Sequence, residues 1–293
     1  MENNGHLSGL EDYLRSRVMG QDDAIKRVSR ALKGSELDLN NRGPRPRGCF
    51  LFMGPSGVGK TESTKAFNEY LFGSDRLKIL FMNEMKSASD VPELVKAIKR
   101  EVERHPKGST FLFDEIEKAH KDITDIFISL MDEGQITDTD GSRINVGNCY
   151  LVMTSNIGAQ RWGAMEQTKY SVMETFAYEQ AKKILRPELF NRLTETIVFR
   201  PLSQETQIKI MQKCLEEKLA HLEPKIGKLS MGHNGVTAYL LRKCFTQSGG
   251  ARKLREELNR QLNDAVIPWA IERKMPKEGK FYCDIKRDCL ELR

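Results

Sequence analysis

The sequence predicts an α/β architecture in two parts. A parallel sheet with helices on both faces occupies residues 1–200, and a smaller, mainly helical domain with a terminal hairpin occupies 201–293. Three observations predict it. Short apolar runs alternate with helical patterns through the first two-thirds of the chain, the signature of a parallel sheet covered by its own crossovers. After Arg200-Pro201 the spacing becomes helical, with apolar residues three and four apart. Between the first apolar run and the helical stretch after it lies a glycine-rich octapeptide, Gly54–Thr61.

Taken in order, Gln21–Lys33 predicts a helix and Cys49–Met53 a buried strand. Thr61–Phe72 follows as a helix and Ile79–Asn83 as a second strand. Pro92–Arg104 is a helix whose start is marked by Asp90 ahead of Pro92 and by Glu93 after it. Thr110–Phe113 is a strand, Asp122–Asp132 a helix, Tyr150–Thr154 a strand, Tyr170 to about Leu193 one long helix, and Ile197–Phe199 a last strand. Beyond the boundary, Ser203–Leu222, Val236–Phe245 and Ala251–Glu272 read as helices. The last has a break or kink expected near Pro268, which has no N–H to donate. Lys280–Ile285 and Leu290–Leu292 form the terminal hairpin.

Composition narrows the class. Of 293 residues, 39% are hydrophobic and 30% charged, a globular rather than a disordered balance. The net charge of +6 comes from basic residues interleaved with acidic ones. The densest basic stretch, Arg42 to Arg47, is short and Pro/Gly-rich and reads as a solvated loop, so nucleic acid is not an expected partner. Six cysteines are scattered. Cys49 and Cys149 sit in apolar runs, while Cys283 and Cys289 have no CxxC spacing or nearby His, so no metal site is expected there. The N-terminus carries no basic-then-apolar signal and no run is long enough to span a membrane, which predicts a reducing, cytoplasmic setting.

The octapeptide GPSGVGKT has the spacing Gly-x-x-x-x-Gly-Lys-Thr, with a strand before it and a helix after it, as a phosphate-binding P-loop requires. Gly54, Pro55, Ser56, Gly57, Val58 and Gly59 form the loop, whose backbone N–H groups turn inward around an anion ahead of a helix N-terminus. Lys60 reaches the β- and γ-phosphates, and the Thr61 hydroxyl ligates Mg²⁺. ATP or ADP with Mg²⁺ is the expected ligand. Phe111-Leu112-Phe113 ends in Asp114-Glu115, which places two carboxylates at the carboxyl edge of the sheet. Asp114 is the candidate Mg²⁺ ligand, and Glu115 the group that polarises the attacking water. The strand Tyr150–Thr154 leads into Asn156, whose amide can orient that water. Arg192 and Arg252 are later candidates on the residues alone.

With these motifs in this order, the chain resembles the AAA+ ATPases of the Clp unfoldase group, specifically the carboxyl-terminal ATPase module of ClpA, ClpB and ClpC, from about Val18 to the end. Val18-Met19-Gly20-Gln21 resembles the family's Val-x-Gly-Gln box, whose backbone cradles adenine. Gly54–Thr61 is similar to Walker A, and Phe111–Glu115, continuing as Ile116-Glu117-Lys118-Ala119-His120, to Walker B. Met131–Asp138 resembles the loop before sensor 1, and Asn156 matches sensor 1. Arg192 in Phe-Asn-Arg matches the arginine finger, and Arg252 in Gly249-Gly250-Ala251-Arg252 matches sensor 2. The resemblance implies a homo-oligomeric ring, typically a hexamer, in which Arg192 completes a neighbour's site and Arg252 couples nucleotide state to a helical lid.

One segment departs from the pattern. Asn83–Glu93 has neither the aromatic nor the glycines of the family's substrate-gripping pore loop, and Met85 is a poor substitute. An Ile-Gly-Phe-type peptidase-docking tripeptide is also missing. The expectation is a lone ATPase module, without an amino-terminal substrate domain or a first ATPase module. Three functions follow from this reading. The first is an ATP-driven remodeller of an unidentified protein substrate or adaptor. The second is a nucleotide-gated switch or scaffold with partner-stimulated hydrolysis, in the manner of torsins. The third is an AAA+ loader on nucleic acid.

Overall fold

The computed structural model describes residues 4–39, 43–232, 234–245, 250–272, 278–284 and 288–293. It divides into two compact units, 1–201 and 202–293.

In the first unit, helices α1 (Asn4–Ser8), α2 (Leu10–Arg17) and α3 (Asp22–Glu36) precede strand β1 (Gly48–Met53) and α4 (Lys60–Phe72). Strand β2 (Leu77–Phe81), α5 (Val91–Arg104), β3 (Thr110–Asp114) and α6 (Lys121–Glu133) follow. A hairpin of β4 (Gln135–Thr137) and β5 (Arg143–Asn145) leads to β6 (Tyr150–Ser155), α7 (Ala159–Trp162), α8 (Tyr170–Lys182), α9 (Pro187–Phe190) and β7 (Glu195–Val198). The five long strands form one sheet in the order β2-β3-β6-β1-β7, and every pairing is parallel. The predicted fold class is therefore the observed one.

Side chains alternate across this sheet. Cys49, Leu51, Met53, Phe111, Phe113, Leu151 and Met153 join one core cluster with Phe127 and Leu130 of α6 and Met173 and Ala177 of α8. Phe113 and Phe127 lie 4.4 Å apart, centroid to centroid. Phe50, Phe52, Tyr150 and Val152 occupy the intervening positions, where Tyr150 meets Phe67 of α4 edge-on. Both faces are buried, so β1 and β6 are buried along their whole length and mainly apolar.

Local chemistry moved several boundaries. The long helix expected over Tyr170–Leu193 stops at Lys182, because Pro187 forces Arg186 into an extended conformation (φ −63°, ψ 137°) and then opens the short helix α9. The second strand is Leu77–Phe81 rather than Ile79–Asn83. Its ladder with Thr110–Asp114 ends at Phe81, and Met82–Glu84 turn as a 3₁₀ helix. The segment read as a loop before Asn156 is the end of α6, a left-handed Gly134 (φ 64°), and the β4–β5 hairpin.

The second unit holds α10 (Gln204–Ile226), β8 (Lys228–Met231), α11 (Asn234–Cys244), α12 (Gly250–Glu272), β9 (Glu278–Asp284) and β10 (Cys289–Leu292). Ser203 caps α10, its hydroxyl accepting from the Thr206 amide. The expected break near Pro268 does not occur, since α12 continues through that residue. The hairpin β9–β10 is antiparallel, and β8 adds to it in parallel. Ile285, placed in the hairpin by sequence, lies outside the described residues, as do Arg42 and Gly249.

Candidate nucleotide site

The loop Gly54–Gly59 joins β1 to α4 at the carboxyl edge of the sheet. Gly54, Gly57 and Gly59 have φ of 144°, 74° and 111°, conformations that side-chain-bearing residues avoid. A Cβ on Gly54 would stand 2.4 Å from the Phe199 carbonyl oxygen, and one on Gly59 would stand 2.8 Å from Val18 Cγ1. The loop is therefore clamped between β7 and the Val18 segment, and only glycine fits at both places. Val18 is buried, Met19 is half-buried, and the Val18 amide closes α2 by donating to Leu14 O.

Lys60 is buried and turned back over the loop. Its Nζ donates to Gly54 O (2.6 Å), Pro55 O (2.7 Å) and Asn156 Oδ1 (2.9 Å). The Asn156 amide nitrogen donates in turn to Glu115 Oε1 (2.9 Å), and Lys118 Nζ donates to Glu115 Oε2 (2.7 Å). Lys60, Asn156 and Glu115, far apart in sequence, thus form one hydrogen-bonded chain. Thr154 supports it from β6. Its hydroxyl donates to Asp114 Oδ1 (2.5 Å) and accepts from the Glu115 amide (3.1 Å). Glu115 is itself left-handed (φ 61°, ψ 55°), rare for a residue with a side chain and a form of strain that gathers at functional sites.

Sequence reasoning missed Lys118, Thr154 and Glu117. The three carboxylates Glu115, Glu117 and Asp114 around Lys118, Glu115 foremost, hold its ammonium more firmly protonated than usual. Glu117 Oε1 accepts from the Asn156 amide (3.1 Å) and so fixes that backbone. The acidic and basic run Asp114–Lys118 carried a signal for Lys118, one helical turn beyond Glu115. Thr154 had none, because a threonine in a buried strand reads as core.

Arg192 is held elsewhere. Its Nη2 donates to Asp132 Oδ2 (2.8 Å) and its Nη1 to Glu188 O (2.8 Å). No hydrogen bond among the described residues joins it to the Lys60–Asn156–Glu115 chain. Asp132 also accepts from Arg45 (3.1 Å), and these guanidiniums, Arg192 foremost, hold its carboxyl below the ordinary range. Arg47 pairs with Glu36 at 2.8 Å, so both described arginines of the basic loop face carboxylates of their own chain. Arg252 is exposed near the start of α12. Thr61 is half-buried in the first turn of α4.

Comparisons with known proteins identify the family. Residues 45–196 match the family model described as AAA domain (Cdc48 subfamily). The chain belongs to that AAA family. Membership makes it an AAA ATPase, and its similarities run to Clp proteins. It is 34% identical over 288 residues to the chloroplastic chaperone protein ClpD2 of Oryza sativa subsp. japonica, covering 89% of this chain and 30% of that protein. It is 32% identical over 306 residues to the ATP-dependent Clp protease ATP-binding subunit ClpA homolog of Pyropia yezoensis, covering 96% of this chain and 37% of that one. To the chaperone protein ClpB of Prochlorococcus marinus it is 31% identical over 297 residues, covering 96% and 34% respectively. The AAA chain thus spans about a third of the length of the curated relatives it matches. Among the described residues, no helix is long and apolar enough to cross a membrane.

Proposed function

We propose that this AAA chain binds Mg²⁺-ATP on Gly54–Thr61 and hydrolyses it as a subunit of a ring that remodels a dedicated protein partner. The observation that carries the reading is the hydrogen-bonded chain from Lys60 through Asn156 to Glu115. It supports the reading because an ammonium, an amide and a carboxylate lie side by side at one edge of the sheet, the groups that a phosphate contact, a water orienter and a base require. The glycine cradle fits an anion, and a buried ammonium leaning on two loop carbonyls fits a phosphate contact at the same place.

Backbone N–H groups of the loop hold the phosphates, and Lys60 exchanges its carbonyl partners for phosphate oxygens. The Val18-Met19 backbone cradles the base. The Thr61 hydroxyl and the Asp114 carboxylate would hold Mg²⁺, which would neutralise charge on the phosphate oxygens. Thr154 holds one Asp114 oxygen through its hydroxyl. Glu115 takes a proton from the attacking water, with Asn156 fixing its carboxylate. Arg192, released from Asp132, stabilises charge in the neighbouring subunit's site. The buried cysteines Cys49, Cys149, Cys214 and Cys244, none of them in a disulfide, favour a reducing compartment such as the cytoplasm.

The switch-or-scaffold reading is favoured by one feature. In the Asn83–Glu93 segment the Ser87 amide donates to Asp90 and the Ser89 amide to Ser87 Oγ. Met85 packs on the core, and its carbonyl accepts from the His120 amide. The segment is tied down where a gripping loop would project. The deciding experiment is turnover by Glu115→Gln and by the unaltered chain, with and without co-purifying protein. Retained ATP binding with hydrolysis reduced about 100-fold or more in the variant supports the ATPase reading. Normal turnover in that variant would falsify the assignment of Glu115. Negligible turnover by the unaltered chain until a partner is added favours the switch.

A further inference from the structure

Gln21 is 1% exposed, and its side-chain amide meets two distant segments at once. Nε2 donates to Val58 O (3.1 Å) and to Arg200 O (2.9 Å), while Oε1 accepts from the Arg200 amide (2.9 Å). The orientation of this amide follows from chemistry. Reversed, it would aim an oxygen at two carbonyl oxygens and a nitrogen at an N–H. Val58 lies inside the P-loop, and Arg200 directly follows the Phe199 whose carbonyl abuts Gly54.

A peptide bond is planar and trans, so its C=O and the following N–H point to opposite sides. Holding the Val58 carbonyl on the Gln21 side therefore directs the Gly59 N–H the other way. Gly59 is left-handed and has no Cβ to fix the orientation of the peptide before it. We infer that Gln21 is a positioning residue for phosphate binding: its amide locks the Val58–Gly59 peptide with the Gly59 N–H presented to the anion, and anchors that lock on Arg200. The inference rests on the proposal that Gly54–Thr61 binds ATP.

The test is calorimetric titration of the full chain with Mg²⁺-ATP. Gln21→Met keeps the volume and deletes all three hydrogen bonds. Gln21→Glu keeps the acceptor for Arg200 and deletes the donors, and it serves if the Met variant does not fold. Either variant is expected to bind ATP about tenfold or more weakly, at unchanged stoichiometry, because a buried carbonyl has lost its donor and the cradle its order. A purely structural role would instead reduce the number of competent sites and leave their affinity intact, which overturns the inference. Affinity within about twofold of the unaltered chain also overturns it. Lys60→Ala separates the two levels. Loss of binding there, with unaltered affinity in the Gln21 variants, removes Gln21 and leaves the ATP site standing. No binding by the unaltered chain removes both.

Discussion

At the scale of single residues, the candidate site depends on buried hydroxyl and amide groups that serve two partners at once. Thr154 is 1% exposed and connects Asp114 to the backbone of Glu115. Thr154→Val removes the hydroxyl without changing the shape, leaving a half-buried carboxylate oxygen and the amide of the left-handed Glu115 without their partner. The expected result is a loss of about 1–3 kcal/mol in denaturant unfolding, together with a lower ATPase rate. Stability and rate equal to the unaltered chain would show that the strand threonine is only filler. Gly54→Ala meets a harder obstacle, backbone 2.4 Å from the new Cβ at φ 144°. It should give little folded protein, read as soluble yield and melting temperature. Asp132→Asn weakens the hold on Arg192. On the proposal that Arg192 acts on a neighbour's phosphates, this variant should alter ATPase rate without altering ATP affinity in ring-forming conditions.

At the scale of elements, the β4–β5 hairpin shows how a short ribbon is kept in place. Three residues per strand cannot hold a register alone. Lys99 of α5 reaches over to donate to Asp138 (2.8 Å), Asp140 (3.0 Å) and Ser142 Oγ (3.0 Å). Lys99, foremost for Asp138, and the Ser142 hydroxyl and amide, foremost for Asp140, hold these carboxyls below the ordinary range. A depressed folded-state value stabilises fully above the unfolded carboxylate range, near pH 4, and is lost as pH falls through the folded value. Lys99→Met should therefore lower the melting temperature at pH 7, and the gap to the unaltered chain should narrow below about pH 4. A gap that stays constant down to acid pH would mean that the lysine acts through its hydrocarbon stem. The tied-down Asn83–Glu93 segment belongs to this scale as well. Its reciprocal Ser87–Asp90 cap and packed Met85 use up the groups that a mobile loop would leave to solvent.

At the scale of the whole molecule, the proposed ring rests on Arg192, which is bonded to Asp132 and Glu188 and not to the Lys60–Asn156–Glu115 chain. The mass of Glu115→Gln in solution, measured with and without ATP, should shift from monomer toward a hexamer on adding nucleotide, while Arg192→Ala should keep ATP binding and lose turnover. A monomer at every nucleotide concentration would rule out self-assembly and move the assignment toward a partner-completed site. The sequence by itself determined the parallel α/β sheet, the glycine loop between its first strand and helix, and the ends of β3 and β6 where Asp114, Glu115 and Asn156 stand. Those signals are local, carried by periodicity, glycine spacing and the place where an apolar run ends. Only the tertiary structure decided that Gln21 grips Val58, that Thr154 and Lys118 serve Glu115, that Asp132 holds Arg192, and that Pro187 splits a helix the periodicity had run together. Hydrogen bonds between residues far apart in the chain have no pattern along it. Their geometry exists only once the strands have stacked in the order β2-β3-β6-β1-β7 and brought the ends of β1, β3 and β6 to one edge.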